Sequence, residues 1–384
     1  MEKQYAEKNK RMAIAMDNGI PDRVPILSII DNWAFSYSGY SIDEIFEDDE
    51  KHLAAFDKVA RDFYWDSMFT VTTTRPINYI SALGGGAYKA KGTLQIESGS
   101  ILSMDAEEYP DLAEDPYKFL LEVIAPRKYE LFRKPYSEEK YQEYCDAVDH
   151  YFAFRNVGAR SAQALREKYG VPVSRGAVFF HPLDMILDYL RDFQGTMFDI
   201  KRKPKQIREV CDAMLPMVIE MVEGAYPEPV EGKYIFNPMH LPEFISARDF
   251  EKVYWPSYKK LMDYFTDKGY NILCYYERSY AHLFEFLQDL PKNKIVGLFE
   301  DDDLRIVKEK LGDMMCFAGG MKTFDLNYSS KQVCLDQAKS LIDDLAGDGG
   351  YIFTTDRIPH SANDANPENL RAVNEFVRDY GVYK

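Results

Sequence analysis

The sequence predicts an α/β fold, a (β/α)8 barrel formed by residues 1–384 as a single domain, with a helix and a hairpin added near the N-terminus. Short apolar runs alternate with amphipathic stretches of about three turns, most regularly in the C-terminal half. Strands and helices in this order indicate parallel pairing through right-handed crossovers. No GxGxxG motif follows any strand, which counts against an open dinucleotide-binding sheet.

The first quarter of the chain contains the two additions and the first two strands. The charged stretch 1–19 predicts a helix. Val24–Ile30 is almost continuously apolar and follows a turn signal, so it predicts the first strand, and Ser67–Thr74 predicts the second. The glycine-rich stretch 84–100 alternates polar and apolar residues, which indicates a surface hairpin and not a barrel strand.

Six further strands follow a long, charged helical region at 109–169. Each is short, apolar and separated from the next by a predicted helix. Together with the first two they make eight strands, which favours closure into a barrel over an open sheet. The six are Gly176–Phe180, Tyr234–Met239, Asn271–Tyr276, Lys294–Glu300, Met315–Met321 and Tyr351–Asp356.

The composition excludes several classes of function. There are 47 Lys and Arg residues against 63 Asp and Glu, a formal net charge of −16 with no basic stripe, so neither nucleic acid nor an anionic membrane surface is an expected partner. The five cysteines are widely spaced, which predicts reduced thiols in the cytoplasm. No apolar stretch is long enough for a transmembrane helix or a signal peptide.

Polar residues recur where the predicted strands end. In a (β/α)8 barrel these carboxyl ends meet at one mouth, where catalytic groups cluster. We therefore expect the mouth to contain the carboxylates and histidines that follow the strands, namely Asp31, His181, His240, Glu277, Glu300 and Asp356.

Thiols and carboxylates on three strands suggest a metal site. Glu277, Cys316 and Asp356 are the predicted ligands, and zinc is the ion that accepts sulfur, nitrogen and oxygen ligands together. The alternative for Cys316 is a small buried side chain in a strand. Cys274 lies three residues before Glu277, so a regular strand points the two to opposite sides, and we expect Cys274 in the core.

Several strings of the sequence resemble the uroporphyrinogen decarboxylase superfamily, strongly from about residue 230 onward and in patches before it. These strings are PDRVP (21–25), FNPMHLPEFISARDFEKVYWPSYKK (236–260), DLPK (289–292), LGDMMCFAGG (311–320), GGYIF (349–353), PENL (367–370) and the closing YGVY (380–383). The resemblance implies a (β/α)8 barrel with either decarboxylase or methyltransferase activity.

The motifs at the strand ends distinguish the branches of that superfamily. Decarboxylases carry an arginine-rich RQAGRY after the first strand, whereas this chain reads Ile30-Asp31-Asn32-Trp33, so porphyrinogen decarboxylation is not expected. Zinc-dependent methyltransferases carry His-x-Cys where this chain has Cys274-Tyr-Tyr-Glu277, and a final Cys where it has Thr354-Thr-Asp356.

The chain most resembles a corrinoid-dependent methyltransferase branch with a glutamate at the position of Glu277. The resemblance implies demethylation of a small methoxy- or methylamine-type donor in anaerobic metabolism, with cobalamin supplied by a partner corrinoid protein. Glu277 would be the metal ligand or the proton donor, and His240 its catalytic partner. The expected substrate-binding residues are Tyr276, Tyr280, His181, Asp31 and Glu300.

Two other functions stay open at this point. One is a lyase closer to the decarboxylases, and the other is a non-catalytic barrel that has lost the zinc motif. Metal content separates these readings, because about one zinc per chain supports the methyltransferase. A homodimer is also left open.

Overall fold

The computed structural model describes residues 1–73, 75–86, 88–91, 93–96 and 102–383, without the side chains of the strand residues 88–91 and 93–96. Within these residues, eight parallel strands make up the barrel. They are β1 Leu27–Ser28, β2 Ser67–Met68, β3 Arg175–Val178, β4 Tyr234–Met239, β5 Ile272–Tyr276, β6 Ile295–Phe299, β7 Cys316–Met321 and β8 Tyr351–Thr355.

The sheet closes on itself. β3 to β8 pair in chain order as one six-stranded parallel sheet, and β1 pairs with β2. Two parallel bridges complete the ring, one between Met68 and Val173 and one between Ile26 and Phe353. The predicted (β/α)8 class is confirmed.

Both faces of the strands are buried, as expected of a parallel barrel. One apolar cluster takes alternate residues from the strands and fills the interior, and the N-terminal helix Glu2–Met16 adds Met12 and Met16 to it. A larger cluster lies between the strands and the surrounding helices. In β5 this alternation places Leu273 and Tyr275 inside, and Cys274 and Tyr276 outside.

Helices cover the outside of the barrel and fill the connections between strands. No described helix combines the length and the apolar character needed to cross a bilayer. Besides the N-terminal helix, the helical segments of four or more residues are Trp33–Ser38, Ile42–Glu47, Asp49–Asp62, Ile77–Ala82, Tyr109–Glu114, Pro116–Phe119, Leu120–Ile124, Ala125–Lys128, Glu138–Tyr169, Pro182–Ile186, Leu187–Arg191, Asp192–Arg202, Pro204–Ala225, Phe250–Tyr254, Trp255–Asp267, Phe284–Leu287, Leu304–Leu311, Thr323–Tyr328, Lys331–Leu345 and Pro367–Tyr380.

The short segments also match the predictions in part. Tyr88–Lys91 pairs antiparallel with Thr93–Ile96, as the predicted hairpin requires, and residues 87, 92 and 97–100 of the predicted stretch lie outside the described residues. The first two barrel strands are much shorter than predicted. The Thr70 hydroxyl accepts a hydrogen bond from the Thr72 backbone N–H at 3.2 Å, so the chain turns away from the sheet soon after Met68.

One buried carboxylate joins the elements around these short strands. Asp66 is fully buried and accepts hydrogen bonds from Arg11 Nη1 and Arg23 Nη2, each at 2.7 Å. It also accepts the Ile26 N–H at 2.9 Å and the Tyr64 hydroxyl at 2.8 Å. The N-terminal helix, the start of β1 and the start of β2 are thereby held together.

We expect Asp66→Asn to destabilise the fold by about 3–5 kcal/mol, because Arg11 and Arg23 would lose the carboxylate that compensates their buried charges. Urea unfolding measures this. Asp57→Asn is the control, since Asp57 pairs with the exposed Lys168 and its loss should cost no more than about 1 kcal/mol. An Asp66→Asn variant as stable as the control would contradict this role.

Candidate active site

The mouth of the barrel contains a histidine between two carboxylates. His240 follows β4, Glu277 follows β5, and Asp188 lies in the helical turn Leu187–Arg191 after β3. His240 Nδ1 lies 2.6 Å from Asp188 Oδ2, and His240 Nε2 lies 3.3 Å from Glu277 Oε1. The two residues predicted to be catalytic are thus in contact.

The local backbone explains the position of Glu277. The alternation in β5 continues from Leu273 through Tyr275, so Glu277 points toward the inside of the mouth. Arg278 has a positive φ of 58° and turns the chain directly afterwards. Its N–H donates to Glu300 Oε2 at 3.0 Å, which fixes this turn to the loop after β6.

The two carboxylates stabilise the charged form of the histidine. Burial lowers the pKa of His240, but the hydrogen bonds and negative charges of Asp188 and Glu277 outweigh it and raise that pKa to about 11. His240 is therefore an imidazolium at neutral pH, with both ring N–H groups directed at carboxylate oxygens.

A further carboxyl group supports the backbone next to His240. Asp184 is fully buried and accepts the Leu241 N–H at 2.9 Å and the Tyr254 hydroxyl at 2.6 Å. Burial raises the pKa of Asp184 to about 7. Asp184 thus holds the chain one residue beyond the histidine.

Ion pairs link the loops around the rim. Glu300 Oε1 lies 3.2 Å from Arg357 Nη1, and Asp356 Oδ2 lies 3.6 Å from both Lys322 Nζ and Arg357 Nε. Asp356 Oδ1 also accepts the Thr323 N–H at 2.9 Å. Glu300 and Asp356 therefore both lie at the mouth, where they connect the ends of β6, β7 and β8.

The structure does not bring the three predicted zinc ligands together. Strand pairing places Cys316, the first residue of β7, level with Leu273, four residues or about 13 Å along the strand from Glu277. Ligands of one zinc ion lie roughly 2.0–2.3 Å from it, so Cys316 and Glu277 cannot share one. Cys316 is a buried core residue, and the described residues contain no group of three or more His, Cys, Asp or Glu side chains arranged for a metal.

Three of the predicted substrate-binding residues lie outside the barrel interior. Tyr276 is fully buried and stacks on Phe299, with 4.5 Å between ring centres. The buried Tyr280 hydroxyl donates to the Met239 carbonyl at 2.9 Å. His181 lies 2.8 Å from the Ser257 hydroxyl and caps the next helix through the Leu183 N–H, and burial lowers its pKa to about 3. These positions correct the expectation that they line the mouth.

The other side of the mouth lies at the ends of β1 to β3. Asp31, predicted to bind substrate, is fully buried there, with its carboxylate 3.7 Å from His360 Nδ1. Two residues of the mouth were not predicted, namely Asp188 and Arg175. Tyr275 also faces the mouth, because it lies two residues before Glu277 and so shares its side of the strand.

Comparison with known proteins agrees with this fold. The sequence pattern of the family described as "Uroporphyrinogen decarboxylase (URO-D)" matches residues 159–380. The structure resembles a methyltransferase from Methanosarcina mazei, with a TM-score of 0.63 and 14% sequence identity over 97% of this chain and 98% of the other. At this identity the likeness concerns the fold.

A weaker structural match carries no argument. It is the 3-keto-D-glucoside 4-epimerase from E. coli in its apo form, with a TM-score of 0.28 and 14% identity over 57% of this chain and 84% of the other. No curated protein matches the sequence. Because the family pattern covers more than half of the residues, this chain belongs to the uroporphyrinogen decarboxylase family.

Proposed function

We propose that this protein is a methyltransferase that moves a methyl group from a small methoxy compound to the cobalt of a corrinoid protein. The observation that carries the proposal is the position of His240 between the carboxylates of Asp188 and Glu277 at the barrel mouth. Family membership and the fold shared with a methyltransferase support it.

The chemistry needs a proton donor. When the reduced cobalt of the acceptor takes the methyl group, the carbon–oxygen bond breaks and its electron pair stays on oxygen, which then needs a proton. The proton is held by the His240 imidazolium, and the Glu277 carboxylate, which faces the mouth in contact with His240, can take that proton and pass it to the leaving oxygen. Asp188 acts as a positioning residue that orients the ring.

The weak acidity of the His240 imidazolium favours methyl donors with oxygen over those with nitrogen. Because Asp188 and Glu277 raise the pKa of His240, its imidazolium is a weak acid that gives its proton to a strongly basic atom, and an oxygen leaving with its electron pair is such an atom. A methylated ammonium departs as a neutral amine and needs no proton. Of the two expected donor types, the methoxy compound therefore suits this site better.

The donor set of the mouth does not suit zinc. Cys316 is too far from Glu277 to share a metal with it, and Asp356 is engaged by the Thr323 N–H and two rim cations. The reaction proposed for this mouth therefore uses no metal bound by Glu277, Cys316 and Asp356 together.

The proposed acceptor is a protein, so it must reach the mouth from outside. The rim there is formed by polar loops, including Arg278, whose side chain is 69% exposed, and the turn Glu300–Asp303. A surface of this kind fits a transient contact with a corrinoid protein, since such interfaces are polar at their edges.

We expect Glu277→Gln to lower methyl transfer by about 10²–10⁴-fold, because the amide keeps the size of the side chain but cannot relay a proton. The assay follows the visible spectrum of a reduced corrinoid protein mixed with methyl ethers and methylamines. The control is Glu251→Gln, on the exposed side of the helix Phe250–Tyr254. Full activity of Glu277→Gln would contradict the proposal, and carbon dioxide release without cobalt methylation would favour a lyase.

We expect His240 to keep its proton at neutral pH and Asp188→Asn to lower its pKa. A raised histidine pKa stabilises the fold fully below the usual value of 6.5, and this contribution is lost as the pH rises toward about 11. Nitrogen NMR of the ring reports the proton, with His240→Gln to assign the signal.

Asp188→Asn also tests whether Asp188 positions His240 for catalysis. In Asp188→Asn the activity should decline at a lower pH than in the wild type, because the imidazolium deprotonates earlier, and Asp188→Glu should restore the profile in part. A pH profile that does not move in Asp188→Asn would show that Asp188 has only a structural role.

A further inference from the structure

Arg175 is the first residue of β3, and its side chain points into the barrel. Met68 pairs with Val173, so Arg175 is level with Thr70, which lies two residues beyond the end of β2 on the side of the mouth. Its Nη2 donates to the Thr70 hydroxyl at 2.9 Å, and its guanidinium carbon lies 4.8 Å from the centre of the Phe69 ring. The side chain is partly exposed, as expected of a residue that faces an open mouth.

A bulge in β3 gives Arg175 this direction. Arg175 pairs with Tyr234 and Val178 with Phe236, so the strand has one residue more than its partner over this length. Tyr234 and Phe236 belong to the interior cluster, and their partners therefore point inward as well. Without the bulge, Arg175 and Val178 would lie on opposite faces.

Among the described residues Arg175 has no close ion-pair partner, and Asp31 is a nearby carboxylate that balances its charge only in part. Within the described part of the chain, no carboxylate oxygen lies within 4.0 Å of it, and the bond to Thr70 is its one hydrogen bond. Burial lowers the pKa of Arg175, and nearby Asp31 offsets this only in part. A guanidinium has five N–H donors and keeps its charge in proteins, so most of its donors are available.

Three other cations of the mouth, in contrast to Arg175, lie close to carboxylates. Arg357 pairs with Glu300 and Asp301, Lys322 faces Asp356, and Arg278 lies 3.4 Å from Glu243. Enclosing a cation without a partner is costly, and such a cation is a good candidate for ligand binding.

We propose that Arg175 binds the carboxylate of an organic-acid substrate. This inference rests on the proposed function, since it assigns the class of the methyl donor as a methoxy compound that carries a carboxylate. The planar guanidinium can hold a carboxylate through two parallel hydrogen bonds. The carboxylates of Glu277 and Glu300 would repel the acid group, so the acid end binds at Arg175 and the methoxy end points toward Glu277.

The apolar surface next to Arg175 suits the body of such a donor. The rings of Phe69 and Phe236 meet at 4.6 Å in an edge-to-face contact, and Tyr275 lies in the same interior cluster. Aromatic walls with one fixed charge are typical of small-molecule sites.

Calorimetric binding to the full-length protein tests the proposal. The probes are two matched pairs, methoxyacetate with methoxyacetamide and 4-methoxybenzoate with 4-methoxybenzamide. In the wild type we expect at least one acid to bind about tenfold or more tightly than its amide, as a charged hydrogen-bonded pair should. Arg175→Gln should abolish this preference, whereas Arg166→Gln, which breaks a surface pair with Glu2, should keep it.

Either of two results would overturn the proposal, namely no acid preference in the wild type or an unchanged preference in Arg175→Gln. Arg175→Lys is a second variant in case Arg175→Gln does not fold. It keeps the positive charge but lacks the planar guanidinium that can form two parallel hydrogen bonds. We expect it to fold and to lose most of the preference. Thermal unfolding gives a second readout, because each acid that binds should raise the Tm of the wild type and not that of Arg175→Gln.

The outcomes also separate this inference from the proposed function. An acid preference that depends on Arg175, without methyl transfer to any corrinoid protein, would leave the carboxylate site standing and remove the methyltransferase. Methyl transfer from neutral ethers, without any acid preference, would support the methyltransferase and remove the carboxylate site.

Discussion

A single buried carboxylate joins the first two strands of the barrel to the N-terminal helix. β1 and β2 contribute two residues each, so their backbone ladder is short, and Asp66 supplies contacts that this ladder cannot. It binds the first helix, the chain entering β1 and the start of β2. Asp31 and Thr70 follow directly after these strands, and Arg175 takes its position from Thr70. The β1–β3 side of the mouth therefore depends on an interaction at the other end of the barrel.

The mouth separates its charges into two regions. On the side of β4 and β5, one cation is shared between two carboxylates, which retains a proton where a bond would be broken. On the side of β1 to β3, a cation is left without a carboxylate partner in the described residues. Ion pairs occupy the remaining rim cations, so a ligand entering the mouth meets one region that attracts an anion and one that attracts a positive or proton-accepting group.

The sequence predicts the barrel and two of the three residues in the cluster of His240, Asp188 and Glu277, and the remaining differences have local causes. Glu277 and His240 were identifiable because each follows an apolar strand. Tyr275 and Tyr276 both lie near the strand end, but alternation turns them to opposite faces, so Tyr275 points into the barrel and Tyr276 points outward. Cys316 is the first residue of β7 and lies level with Leu273, so it is about four residues away from the mouth along the strands. Asp188 belongs to a helical turn after β3, and only the three-dimensional packing places it beside His240.

The bulge in β3 has a consequence for how the family can diversify. Gly176 sits within it, and a Cβ there would lie 2.6 Å from the Tyr226 ring, so the bulge is fixed from outside by the end of the helix Pro204–Ala225. Arg175 precedes it on the inner side, where it contacts the Thr70 hydroxyl and the Phe69 ring. The outer contact of Gly176 fixes the register of β3 independently of residue 175, so the proposed acid preference would be a trait that evolution or an engineer can alter separately from the scaffold.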